Sequence, residues 1–163
     1  MKMGTRAFLR DSALLFAVVV TDQMIKTAVR RYAIGETLLE CPLFSVRRAE
    51  NPGAAFGLFA SRPAAVTAVS ALIMISLAGY LRRAYGETPG NGLCRAAWIL
   101  LFGGAAGNLA DRLLRGTVTD YIQLSFLDFP LFNMADCCIT VSVLLYIVII
   151  LREGMPNGRK RAS

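Results

Sequence analysis

The chain has 163 residues, 55% of them hydrophobic, with a mean hydropathy of +0.51 and a formal charge of +7. Its apolar residues come in blocks with basic ends, which points away from a nucleic-acid partner, whose ligands would line one polar face, and toward a bilayer. Four cysteines with no C-x-x-C pair and no histidine leave no recognisable zinc or haem ligand set.

Lys2, Arg6 and Arg10 precede an apolar run from Ser12 to Val20, as in a secretory signal peptide, but no small-residue cleavage site follows. The expectation is a retained membrane helix over residues 12–29. Within it Asp22 and Lys26 are four apart, in the acid-before-base order that favours pairing on one helix face. A structural ion pair and a direct role in chemistry are both open to them. Residues 30–62 form a polar connection in which Leu43–Val46 reads as a short strand and Asn51-Pro52-Gly53 as a turn. Ala54–Phe59 reads as a further strand or an interfacial piece.

Pro63–Leu81 carries no charge and opens with a proline suited to a first helical turn, giving a second helix over residues 63–81. A turn-rich link leads to a third over residues 93–114. Its run Gly103, Gly104, Ala105, Ala106, Gly107 lets neighbouring backbones approach closely, and Asn108, Asp111 and Arg112 share one face. After an excursion over residues 115–130, a fourth helix is expected over residues 131–151. Its only charge, Asp136, would lie about 7–8 Å inside its start at the helical rise, with Asn133 on the same face. A basic tail spans residues 152–163. The whole reads as one integral membrane domain, residues 1–163, mainly α-helical. The first, middle and last connections hold the basic residues in short segments, so both termini are expected in the cytoplasm and the connections 30–62 and 115–130 outside.

Carboxylates in or beside membrane helices are costly, and a functional site is the default explanation. Asp120 and Asp136 flank the excursion through Asp128 and Pro130, so the chain can bring both to one level of the membrane. Two carboxylates a few ångströms apart share a proton, leaving one as general base for a water and the other as general acid. Other uses of the same residues stay open. The acids could be caps or ion-pair partners, with Asp111 paired to Arg112 or Arg115 and Asp120 in a turn. They could form a relay in a small membrane transporter or an ion or proton channel subunit, or offer oxygen ligands to a hard cation.

Five blocks then resemble, in order and spacing, those of the bacterial lipoprotein signal peptidases, the type II or prolipoprotein signal peptidases. They are Asp22-Gln23-Met24-Ile25-Lys26, Asn51-Pro52-Gly53-Ala54-Ala55-Phe56, Gly103 to Arg112, Gly116-Thr117-Val118-Thr119-Asp120-Tyr121 and Phe132-Asn133-Met134-Ala135-Asp136. The resemblance implies four transmembrane helices with a small extracytoplasmic β-platform between helices 1 and 2. It implies an aspartic endopeptidase of the bacterial inner membrane, needing no metal or other cofactor, with its active site near the outer leaflet. Its substrates would be prolipoproteins carrying a diacylglyceryl-cysteine, cut just before that residue, and it would work as a monomer among membrane lipids. By the same matching Asp120 and Asp136 are the catalytic pair. Asn51, Gly53, Asn108, Asp111, Arg112 and Asn133 line or brace the site, and Asp22 and Lys26 support it from the first helix. Tyr121 stands where phenylalanine is common in the family, and Asp128 is left as a turn residue.

Overall fold

The computed structural model describes residues 5–53, 59, 61–87 and 92–154. It contains four long helices, α1 (Thr5–Val29), α2 (Pro63–Glu87), α3 (Gly92–Arg115) and α4 (Met134–Gly154), and three strands, β1 (Thr37–Glu40), β2 (Phe44–Asn51) and β3 (Val118–Leu124). Arg6–Val29, Gly92–Arg115 and Met134–Arg152 are long and apolar enough to cross a membrane, whereas the apolar part of α2, Pro63–Gly79, is shorter. Large apolar side chains such as Phe16, Leu72, Ile73, Leu144 and Ile150 are exposed on the helices. Surface of that kind suits lipid rather than water.

The helical core forms around α3, whose small residues decide how near its neighbours come. A Cβ on Gly103 would stand 2.7 Å from Val18 Cγ1, one on Gly104 2.5 Å from the Ala135 carbonyl oxygen, and one on Gly107 2.5 Å from Asp22 Oδ2. No side chain larger than hydrogen fits at those places, so α1 and α4 both lie hard against α3. α2 takes little part, with Val66 its one buried hydrophobic residue among those described. Near the amino end of α1, Arg95 of α3 forms a two-pronged ion pair with buried Asp11. Buried Ser142 of α4 donates to the Ala97 carbonyl at 2.6 Å.

Gly116, at φ +76°, ends α3 and donates its N–H to the Arg112 carbonyl at 2.9 Å. This left-handed glycine is a common helix stop, and it turns the chain straight into β3. The strands form one antiparallel sheet in the order β1-β2-β3, and Ile122 also bridges to Phe132.

Several boundaries differ from the sequence reading. α1 reaches back to Thr5, seven residues before the expected 12, because the mixed segment Thr5 to Asp11, with Ala7, Phe8 and Leu9 among its polar residues, continues the helix. α2 continues past residue 81 to Glu87, and α4 to Gly154, into the expected tail. α4 begins at Met134 rather than 131, so Asp136 lies in its first turn rather than 7–8 Å inside. The platform is not confined to the connection between α1 and α2. Its third strand comes from the excursion after α3, where Val118, Thr119, Asp120 and Tyr121 are all buried. The expected segment at Ala54–Phe59 falls largely on residues 54–58, outside those described.

Candidate active site

The start of α4 is where the elements converge. An α-helix leaves its first four N–H groups without partners inside the helix, and here each finds one. Met134 N–H donates to the Tyr121 hydroxyl at 3.1 Å, Ala135 N–H to Asp22 Oδ1 at 3.2 Å and Asp136 N–H to Asn133 Oδ1 at 3.0 Å, while Cys137 N–H makes the first regular helical bond, to the Asn133 carbonyl at 3.2 Å. Asn133 N–H in turn donates to Asp136 Oδ2 at 3.1 Å, completing a reciprocal capping box. The position of the Asp136 carboxylate is thus fixed from β3 and α1 as well as from its own helix. The Tyr121 hydroxyl, absent from a phenylalanine, supplies one of those acceptors.

Asn133 also joins the two acids. Its buried Nδ2 donates to Asp120 Oδ1 at 2.7 Å and to Asn108 Oδ1 at 3.2 Å, while Asn108 Nδ2 donates to Asp136 Oδ1 at 2.8 Å. Asp120 receives a further bond from Asn51 Nδ2 at 3.1 Å. Asn51 can spare that amide because its Oδ1 closes the turn onto Gly53 N–H at 2.9 Å. Turn chemistry and site geometry, alternatives in the sequence, are two ends of one side chain.

Behind this layer Lys26 is fully buried, and its ammonium meets one acceptor per proton: Asn108 Oδ1 at 2.8 Å, Asp22 Oδ2 at 2.9 Å and Asp111 Oδ2 at 3.3 Å. Asp111 also takes Arg30 and Arg115, both at 3.2 Å, and Thr119 N–H at 3.2 Å. Asp111 therefore pairs with Arg115 and not with Arg112. It binds the helices to β3, while Arg112 reaches forward to donate to the Gly53 carbonyl at 3.0 Å.

Asn51, Asn108, Arg112, Asp120 and Asp136 line a cavity of about 1100 Å³ together with the apolar Leu124, Leu127, Phe129, Phe132, Ile139 and Val141. Burial pushes the Asp120 carboxyl up to about 6, with the nearby Asp136 charge adding to the shift and the amides of Asn51 and Asn133 opposing it. Its polar groups can hold a proton and a water, and its apolar lining suits an apolar chain. Asp128 is exposed in the bend beyond β3 and is not among the lining residues. Among the described residues, no group of three or more histidine, cysteine, aspartate or glutamate side chains converges as a metal site.

Sequence reasoning passed over Arg30, Thr119, Glu50 and the cap role of Asn133. The cap had a readable signal in Asn-x-x-Asp before an apolar run. Glu50 and Thr119 are brought together by strand pairing and Arg30 by the end of α1 reaching Asp111 and Thr119, and none of the three carries a local signal.

The fold and site define a helical membrane protein in which two carboxylates, tied together by asparagine amides, open onto an apolar cavity. The family model described as signal peptidase (SPase) II matches residues 14–152. The lipoprotein signal peptidase of Symbiobacterium thermophilum is 37% identical over 148 residues, covering 86% of this chain and 95% of its own. That of Staphylococcus aureus strain JH9 is 31% identical over 166 residues, covering 99% and 100%. A bacterial membrane enzyme solved by the in meso method at 2.3 Å resolution superposes with a TM-score of 0.82 at 28% identity, covering 94% of each chain. The chain belongs to the signal peptidase II family, and is accordingly a peptidase of a bacterial membrane.

Proposed function

We propose that this peptidase is an intramembrane aspartyl endopeptidase that removes the signal peptide from diacylglyceryl-modified prolipoproteins, cutting before the lipidated cysteine. The observation that carries the reading is the pair Asp120 and Asp136, delivered by a strand and a helix to the lining of a largely apolar cavity and joined through Asn133 and Asn108.

In this mechanism Asp120, whose carboxyl is pushed up to about 6, holds the proton of the pair. Asp136 accepts two hydrogen bonds in the first turn of α4, the end of a helix that favours negative charge, and acts as the base. A water between them gives a proton to Asp136 as its oxygen bonds to the scissile carbonyl carbon, and Asp120 protonates the carbonyl oxygen. The tetrahedral intermediate collapses as Asp136 passes its proton to the cysteine nitrogen. The C–N bond breaks, a hydroxyl proton returns to Asp120, and a carboxylic acid and an amine are released. No covalent enzyme intermediate forms. Titration belongs to the coupled pair rather than to either residue.

The family comparison supports the prolipoprotein substrate, and the apolar lining suits a signal helix and acyl chains arriving sideways from lipid. In the full reading α2 completes a set of four membrane crossings, both termini lie in the cytoplasm, and the sheet lies over the outer leaflet of the inner membrane. The enzyme acts as a monomer without metal. The relay reading uses the same acids, but Asp22, Lys26 and Asp111 bond one another behind the site and none of the three lines the cavity.

Purified protein with a diacylglyceryl prolipoprotein is expected to yield a free signal peptide and a mature chain beginning at the lipidated cysteine, read by mass spectrometry, and equally so in excess chelator. Cleavage elsewhere, or cleavage that chelator stops, contradicts the proposal. The pH dependence has a definite sign. The acid form of Asp120 is lost as pH rises, so kcat/KM, which reports the free enzyme, is expected to fall through about pH 6. The limb in kcat should lie higher, because bound substrate excludes water from the carboxyl.

A further inference from the structure

β2 and β3 pair on both sides of a bulge. Val46 faces Ile122 and Ala49 faces Asp120, so Arg47 and Arg48 together oppose the single residue Tyr121. A one-residue slip sends every later side chain to the opposite face of a sheet, and bulges near active sites commonly re-aim side chains in this way. Here the bulge decides which way Glu50 and Asn51 point.

Its conformation is held from outside the sheet. Arg48 Nη1 donates to the Arg30 carbonyl at 2.8 Å and also to that of Tyr32, just past the end of α1. Its Nε and Nη2 donate to Glu50 Oε1 at 3.2 and 3.0 Å. Glu50 Oε2 accepts the Thr117 hydroxyl at 2.9 Å, and both its oxygens lie 3.4 Å from the Thr119 hydroxyl. Thr119 is fully buried and is also tied to Arg30 at 3.0 Å and, through its N–H, to Asp111 at 3.2 Å. One carboxylate thus bonds to the bulge and to the strand residue immediately before Asp120, and it is the neighbour of Asn51.

We infer that Glu50 is a positioning residue for the Asn51–Asp120 half of the site, acting through Arg48 in the bulge and through Thr117 and Thr119. The inference rests on the proposal that Asp120 is a reacting group. Glutamine is nearly isosteric but neutral: its oxygen can still take Arg48, yet the charge that holds Arg48 is lost and its amide must donate to the threonine hydroxyls, reversing those bonds. The charged groups that act on Asp120 are Asp136 on α4, Lys26 on α1 and Arg112 on α3, and Glu50 on β2 lines the same cavity.

The test is the alkaline limb of kcat/KM in Glu50→Gln, Asn51→Ala and the double variant. The Asn51 amide favours the ionised form of Asp120, so a bulge that lets Asn51 drift moves the limb to higher pH. The expected result is an upward shift in Glu50→Gln, of the size seen in Asn51→Ala and no larger in the double variant. It is accompanied by a roughly 10- to 100-fold fall in kcat with KM little changed. If Glu50 acted only as a nearby negative charge, its loss would move the limb down. If it were merely structural, the melting temperature would fall with the limb unmoved. Either outcome overturns the inference. Should Glu50→Gln fail to fold, Thr117→Val removes one of the donors and is read by the same limb. Wild-type turnover in Asp120→Asn would instead overturn the reading of Asp120, leaving a Glu50 effect to be explained otherwise.

Discussion

α1 carries two buried charged clusters, one near each end, and they differ in what lies beyond them. Asp11 takes Arg95 in a two-pronged pair and has Arg10 at 3.5 Å, and among the described residues its own carboxylate bonds go no further. Asp22 and Lys26 start in the same way but continue. Lys26 fills Asn108 Oδ1, which turns Asn108 Nδ2 toward Asp136, and Asp22 fills the Ala135 N–H of the turn that holds Asp136. Burying charge is costly in both places. Both clusters adjoin cavities, but only at the second, among the described residues, does the ordering reach a pair of carboxylates in the lining; the cavity of about 530 Å³ beside Arg95 holds the single acid Asp11. Burial of an acid therefore does not mark the site; the onward hydrogen bonds do.

The comparison can be broken by mutation. Apart from the two aspartates themselves, the largest effect is expected for Lys26→Met, which leaves Asp22 and Asp111 buried without their shared cation and frees the Asn108 amide to flip. A loss of about 3–5 kcal/mol in stability is expected from removing one partner of a buried charge cluster. Turnover should fall roughly 100-fold at temperatures where the variant stays folded, read by lipoprotein cleavage beside a thermal melt. A variant with normal turnover would reduce the second cluster to the status of the first. Gly107→Ala should come next, because its Cβ would meet Asp22 Oδ2 at 2.5 Å, and Asp22 is held by Lys26 and the start of α4. Overpacking of this kind costs about 1–3 kcal/mol, and the loss should appear in both melting temperature and activity. The smallest effect on turnover is expected for Asp11→Asn. Weakening a charged hydrogen-bonded pair costs roughly 1–3 kcal/mol, with activity kept within about twofold. A large fall in kcat there would mean that the two clusters are coupled through α1.

Part of this arrangement is legible in the sequence. Asp22 and Lys26 at i, i+4, the small-residue run of α3 and the polar face beginning at Asn108 follow from helical geometry, and the structure brings them together. What was missed has one physical cause: β3 gains its identity by pairing. Val118–Leu124 has the alternation of a strand only weakly, with an acid in it, and it becomes one because β2, some seventy residues earlier in the chain, lies alongside. Thr119 and Glu50 enter through that pairing, Arg30 joins them from the end of α1, and none carries a local mark. The reach of Arg95 to Asp11 is equally invisible, since each alone reads as a helix-end charge. The start of α4 was misplaced because apolar Leu131 and Phe132 extend the hydrophobic run. Phe132 instead exchanges backbone hydrogen bonds with Ile122 at 2.8 and 3.0 Å, and the cap at Asn133 sets the boundary.

The central claim is that Asp120 and Asp136 act together on one water. Asp120→Asn and Asp136→Asn, each purified and shown by thermal melt to be folded, should be compared with wild type in single-turnover cleavage of a diacylglyceryl prolipoprotein. The account predicts that each substitution alone removes cleavage, by about 10⁴-fold or more, and that the double variant is no worse than either, as for groups that work as a unit. Substantial cleavage by either folded single variant would contradict it.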